Sequence, residues 1–387
     1  MLRDEEHDRM MAEVDARGYA PARRKARWPW IALIILILLG VIYSGFWYYL
    51  AGKVTDNINN IIAKSASDGV TVNCRDFRKA GFPLRLDVSC SSLSVEGSQQ
   101  AAGGSALRQD AVGALLAESG NNQNNNDGLF AFHSGFVTAG SSVLEPHWLS
   151  LEMGAPATLK LPGLIRPIEA NWQSLKSEGD FTAKTPRNIS VSMEKPSISD
   201  LPFFRAGEAV SANYIRFESH EQDADKADFS LAFDNLALPY SIDSKEGILP
   251  AADGAAEVSM DNGDDFYAML PQLIHSGDAG LLRGKSGNLQ KLNLAFENGG
   301  GVTLSGPFSV ADNGKLNGRI TIEVDDPAAL VRTISSVFPD QADNLNSLAF
   351  VINAMPKGSK NNPRITLDIH DGHMRMGFLK LGKIPPL

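Results

Sequence analysis

This chain is poor in cysteine. Only Cys74 and Cys90 occur in 387 residues, and without matched histidines they do not make a zinc site. It also lacks an excess of positive charge. Its 36 Lys and Arg stand against 45 Asp and Glu, a net charge of −9. The segment 1–27 holds seven basic and six acidic residues and Trp28 to Gly52 holds no charge, so residues 53–387 carry −10. Phosphate backbones are bound by clustered Lys and Arg, so bulk electrostatics exclude nucleic acid as a partner. The same charge predicts no attraction to an anionic membrane surface.

Catalytic signatures are missing too. There is no Gly-x-Ser-x-Gly elbow and no His-Glu-x-x-His pair. Gly284-Lys285-Ser286 ends like a phosphate-binding loop, but the earlier glycine that such a loop needs is Ala279. His370-Asp371-Gly372-His373 could tempt a metal reading; the Asp-Gly turn accounts for the same residues. Gly299-Gly300-Gly301 reads as a turn between strands. The acidic pairs Asp264-Asp265 and Asp325-Asp326 sit where helices begin, and capping accounts for them. Asn188-Ile189-Ser190 fits a glycosylation triplet that is common by chance, and Trp148 and Trp172 read as core anchors. No catalytic, cofactor or metal residue is assigned, so a non-enzymatic protein is expected.

What is present begins with an apolar run, WPWIALIILILLGVIYSGFWYYL, from Trp28 to Leu50. At a rise of about 1.5 Å per residue it reaches roughly 34 Å, enough to cross a hydrocarbon core of about 30 Å. Arg23, Arg24, Lys25 and Arg27 precede it, which by the positive-inside rule leaves 1–27 as a cytoplasmic tail. Trp28 and Trp30 at one end, and Trp47, Tyr48 and Tyr49 at the other, are the expected interface aromatics. A cleaved signal peptide would have a shorter apolar region and a small-residue cleavage site, so an uncleaved anchor fits better. The expected layout is an anchor at 28–50, a helical stalk at 51–68, and an exported β-rich domain at 69–387.

Within that domain, VTVNC (70–74) and LRLDVSCSSLSV (84–95) flank a turn. Cys74 and Cys90 lie equally far from residue 82, so a hairpin closing near Gly81-Phe82-Pro83 would set them opposite each other. Outside the membrane that pairing gives a disulfide, for which loop entropy predicts about 3 kcal/mol. Residues 97–127 read as a loop or insertion containing a short helix at 106–118 and the Asn-rich run 121–127. Period-two alternation then dominates, as in Ile189, Val191 and Met193, in Phe229, Leu231 and Phe233, and in Ile365, Leu367 and Ile369. Asp312-Asn313-Gly314 and Asp371-Gly372 supply hairpin turns. Helices are expected after Asp264-Asp265 and after Asp325-Asp326-Pro327. The fold class is therefore α+β and mostly β, antiparallel, with a few short helices after one transmembrane helix.

Gly81-Phe82-Pro83-Leu84-Arg85, framed by Cys74 and Cys90 behind an N-terminal span, resembles the Gram-negative envelope family known as domain of unknown function 2125. The tail is similar as well, in Asp371-Gly372 and in Leu381-Gly382-Lys383-Ile384-Pro385-Pro386-Leu387. The family has no established activity. Its architecture resembles that of AsmA-like exported proteins, an anchor followed by a long curved antiparallel sheet with an apolar groove. No function is carried over from the resemblance; the anchor, the alternating strands and the lack of catalytic residues predict a single-pass inner-membrane protein with its bulk in the periplasm and no cofactor. It would hold or guide lipid in a β groove. The alternatives are a scaffold for other envelope proteins and, third, a hydrolase of envelope polymers.

Overall fold

A computed structural model describes residues 28–67, 69–98, 129–162, 164–182, 187–202, 204–223, 225–242, 245–276, 278–338, 352, 356–358 and 362–387. Arg23, Arg24, Lys25 and Arg27, the expected short helix at 106–118 and the Asn-rich run lie outside the described residues. The residues expected as anchor and stalk lie in one helix, α1 (Trp28–Ser67), whose 40 residues extend roughly 60 Å. No charge interrupts it before Lys53, and its end is fixed by Gly69, which takes a positive φ of 79° while its N–H donates to Ala66 O. The run from Ile35 is apolar and long enough to cross a membrane. Trp28 and Trp30 lie in its first turn; Trp47 is buried, and Tyr48 and Tyr49 are exposed.

Residues 56–387 form a separate unit built from antiparallel strands. From β1 to β14 the ribbons are broken in the middle, so that the chain feeds one sheet and then the other. The chain runs β1 (Val70–Arg75), β2 (Arg78–Ala80), β3 (Arg85–Cys90), β4 (Ser92–Ser98), β5 (Leu129–Ser134), β6 (Val137–Ser142), β7 (Trp148–Met153) and β8 (Ala157–Lys160). It continues through β9 (Ile168–Asn171), β10 (Ser174–Asp180), β11 (Arg187–Glu194), β12 (Ser197–Ser199), β13 (Ala209–Ser211), β14 (Tyr214–Asp223) and β15 (Lys226–Leu236). A side hairpin, β16 (Pro239–Ile242) and β17 (Lys245–Ile248), follows. The second half has long strands: β18 (Ala252–Asp261), β19 (Ser286–Phe296), β20 (Gly301–Val310) and β21 (Leu316–Asp325). Then come β22 (Arg364–His370), β23 (His373–Met376) and β24 (Leu379–Lys383).

Among the described residues one sheet has seven strands, in the order β1-β4-β5-β8-β9-β12-β13. The other has fifteen, β2-β3-β6-β7-β10-β11-β14-β15 and then β18 through β24 in sequence. Neither closes into a barrel.

The break is built from residues that cannot continue a ladder. Pro156 and Pro196 have no N–H to donate, and Asp76 and Lys195 have positive φ of 52° and 47°. Gly154 leaves room for the Phe136 ring, since a Cβ there would lie 2.3 Å from Phe136 Cδ1. Hydrogen bonds carry on across the line: Ser91 N–H donates to Arg75 O, Gly154 N–H to Phe136 O, and Lys195 N–H to Asn213 O. Such local irregularities redirect strands without ending the sheet.

The disulfide is present, with a Cα–Cα distance of 5.3 Å, but its register differs from the sequence expectation. Cys74 pairs with Leu93 and Cys90 with Val137, while Arg78 pairs with Ser89. The cysteines are not opposite each other in one hairpin. Because Asp76-Phe77 and Ser91 break the ribbon between them, the bond instead links the seven-stranded sheet to the fifteen-stranded one.

Two helices punctuate the second half where expected. Asp264 and Asp265 lie in the first turn of α2 (Gly263–Ser276). Asp326 caps α3 (Pro327–Val337), accepting from Ala329 N–H at 3.0 Å. The glycine turn before β20 also forms, with Gly299 N–H donating to Phe296 O. Gly300, at φ 85°, passes so close to α3 that a Cβ would fall 2.3 Å from Leu330 N.

Candidate functional site

Cross-strand partners in an antiparallel sheet point the same way, so the register sorts side chains by face. One row across the fifteen-stranded sheet reads Met153, Leu175, Met193, Ile215, Phe233, Gly254, Leu294, Val302 and Val324. The neighbouring row on that side runs from Leu151 through Ser177, Val191, Phe217, Leu231, Ala256, Leu292 and Leu304 to Ile322 and Ile365. The opposite side is mostly polar: Glu152, Lys176, Ser192, Arg216, Ala232, Ala255, Asn293, Thr303, Glu323 and Arg364 are aligned there.

The seven-stranded sheet repeats this division, with Val72, Val95, Phe132, Leu159 and Ile168 in one row. Cys74 lies on that apolar side and Cys90 on the apolar side of the larger sheet. Their bond therefore joins two apolar faces at the break.

Nothing among the described residues covers most of this face. Leu149, Leu151, Leu231, Leu292 and Leu294 remain 38–41% exposed, although all point to the apolar side. A sheet packed on a second layer would bury such residues, each worth about 1.5–3 kcal/mol when taken out of water. Contiguous exposed apolar surface is, as a class, associated with interaction sites.

One end of the face is covered. Phe266 and Tyr267 of α2 lie with ring centroids 5.0 and 5.6 Å from Phe229, above buried Ala227 and Met260. Arg187, at the start of β11, holds the helix there. It pairs with Glu221 of β14 and with Asp264 of α2, and its guanidinium stands 5.9 Å from the Tyr267 ring centroid. Hydrogen bonding to Glu221 pushes the Arg187 guanidinium further above its ordinary value. Burial pushes the Tyr267 hydroxyl up. Tyr267 and Arg187 did not stand out in the sequence. A tyrosine beside the expected Phe266 was the available signal, and its pairing with an arginine 80 residues earlier was not legible.

The motif residues occupy the edges, away from the open centre. Gly81, at φ 96°, Phe82 and Pro83 form the β2–β3 turn, with a cis Phe82–Pro83 bond and Arg85 N–H donating to Gly81 O at 2.8 Å. Arg85 donates to Asp87 and, at 2.9 Å, to Ser150 Oγ. Beyond β24 the chain returns to the β20–β21 turn, where Arg283 donates from Nε and Nη2 to Leu387 O and Leu387 N–H donates to Gly314 O. Asp371-Gly372 makes the β22–β23 turn, with His370 opposite His373. No group of three or more His, Cys, Asp or Glu suited to a metal occurs among the described residues. Trp172 is half-buried, and its Nε1 donates to Met153 O at 2.7 Å.

The family described as an uncharacterized protein conserved in bacteria, DUF2125, matches residues 47–385. The chain belongs to it. The match to the DUF2125 family covers both edges, from the cysteine-framed turn to Pro385, and the whole apolar face between them. No curated protein and no solved structure matches the chain.

Proposed function

We propose that this DUF2125 chain is a non-enzymatic protein of the inner membrane, anchored by α1 with residues 1–27 in the cytoplasm and the β unit in the periplasm. Its apolar face holds or guides lipid acyl chains. The observation that carries this reading is the face itself: a row of apolar residues crosses nine strands, mostly polar residues take the other side, and five leucines on the apolar side stay about two-fifths exposed. An acyl chain laid along them removes apolar area from water without requiring any directional bond. Arg23, Arg24, Lys25 and Arg27 support the orientation, and a disulfide supports an oxidising compartment.

Native mass spectrometry of the detergent-purified full chain tests it, comparing the wild type with the Leu231→Ser/Leu292→Ser/Leu294→Ser variant. Lipid held around α1 is common to both and cancels. The wild type should retain additional lipid, and an equal lipid content in the two proteins would sink the reading.

The open sheet edges favour a second reading. All of β24 is exposed, and a scaffold could pair another envelope protein onto it. In that case pull-downs would recover a protein partner sensitive to changes in β24 and indifferent to the three leucines.

A further inference from the structure

The last hairpin breaks the charge pattern of the domain that carries it. Residues 53–387 hold a net −10, yet no acidic residue follows Asp371, while Arg375, Lys380 and Lys383 do. All three are exposed, and none makes an ion pair among the described residues, whereas the nearby Asp368 is already bonded to Arg319 at 2.6 Å. Register places the cations together. Arg375 pairs with Lys380 and with Asp368 on the polar side, and Lys383 pairs with His373, itself opposite His370.

The other side of the same hairpin is apolar. Met374 continues the row of Ile369, and Met376 stands opposite Leu379. At the tip Phe378 is 94% exposed, and Leu379 and Leu381 are about half exposed. An aromatic tip flanked by aliphatic residues and unpaired cations is the combination that seats at the boundary between phosphate headgroups and acyl chains. An acidic protein would match the cations but leave Phe378, Leu379 and Leu381 in water. A free phosphate would match neither the spread of the charges nor the apolar tip.

We infer that the β23–β24 hairpin is a docking element for an anionic phospholipid surface, with Arg375, Lys380 and Lys383 facing phosphates and Phe378, Leu379 and Leu381 entering the acyl boundary. It stands apart from the question of whether the central face holds lipid. It also limits the bulk-charge argument: repulsion set by the whole domain is screened over about 8–10 Å, and three local cations act within that distance.

The test uses the full chain in nanodiscs of phosphatidylcholine, mixed with vesicles of phosphatidylcholine alone or with added phosphatidylglycerol, and scores co-flotation. Vesicles with phosphatidylglycerol should capture the protein and release it as salt rises. Lys380→Gln/Lys383→Gln should weaken capture roughly thirtyfold, the combined effect of two cations near an anionic surface. Phe378→Ser should weaken it several-fold at unchanged charge. Equal capture by both vesicle types would overturn the inference, as would full competition by inorganic phosphate. Capture by polyglutamate beads without capture by phosphatidylglycerol vesicles would overturn it in favour of an acidic protein. The leucine variant of the central face should float like the wild type, and the lysine variant should keep its co-purified lipid, so the two readings fail separately.

Discussion

The two halves of the β unit handle the same alternating sequence differently. From β1 to β13 the strands are short and alternate between two sheets; from β14 onward, through β15 and β18 to β21, they run unbroken for ten or eleven residues in one sheet. The first half carries a covalent tie between its sheets, α2 leans on β11, β14 and β15, and the second half packs α3 against the glycine turn before β20. Both halves nevertheless keep the apolar residues on one side. Strand length and sheet membership are therefore free to vary as long as the face is continuous, which indicates that the face is the constrained feature.

The comparison can be broken from either side. The largest effect is expected at Gly300→Val, where a positive φ and a Cβ 2.3 Å from Leu330 N leave no room. It should cost about 3 kcal/mol or more and raise amide exchange in β19–β21 and α3, leaving β1–β9 protected. Uniform loss of protection would show that the halves are one cooperative unit. Next is Cys74→Ser/Cys90→Ser, expected to cost about 3 kcal/mol and to loosen β1–β9 while sparing β18–β22. Exchange mass spectrometry with and without reductant reads this directly; an effect centred on the second half would contradict it. Smallest is the contrast within the fifteen-stranded sheet. Buried Ile369→Ala should cost about 3 kcal/mol, and exposed Leu292→Ala about 1 kcal/mol, because little area is left to lose. Equal losses in thermal denaturation would mean that Leu292 is covered after all.

Much of this was legible in the residues. Ile189, Val191 and Met193, or Ile365, Leu367 and Ile369, lie in strands because period two is the signature of a half-buried sheet. Asp312-Asn313-Gly314 and Asp371-Gly372 turn where their φ preferences require it, and Asp326 caps a helix. The broken ribbons were not legible. Alternation assigns a face and carries no information on which sheet a strand joins, so Cys74 and Cys90 were placed in one hairpin rather than across two sheets. Openness of the face was equally hidden, since Leu231 alternates in the same way whether or not a second layer covers it. Arg187 was missed because its partners Glu221 and Asp264 are distant in sequence and meet only through the register of β11 and β14.

In both sheets the strands are laid down in the order in which the chain presents them, with no later strand inserted between two earlier ones. Assembly can thus keep pace with synthesis. A chain made from its N-terminus adds each hairpin to an edge that already exists, and short-range pairings of this kind carry a low loop-closure cost. The Cys74–Cys90 bond fastens the earliest ribbon before β5 has emerged. It gives a growing structure a fixed first row.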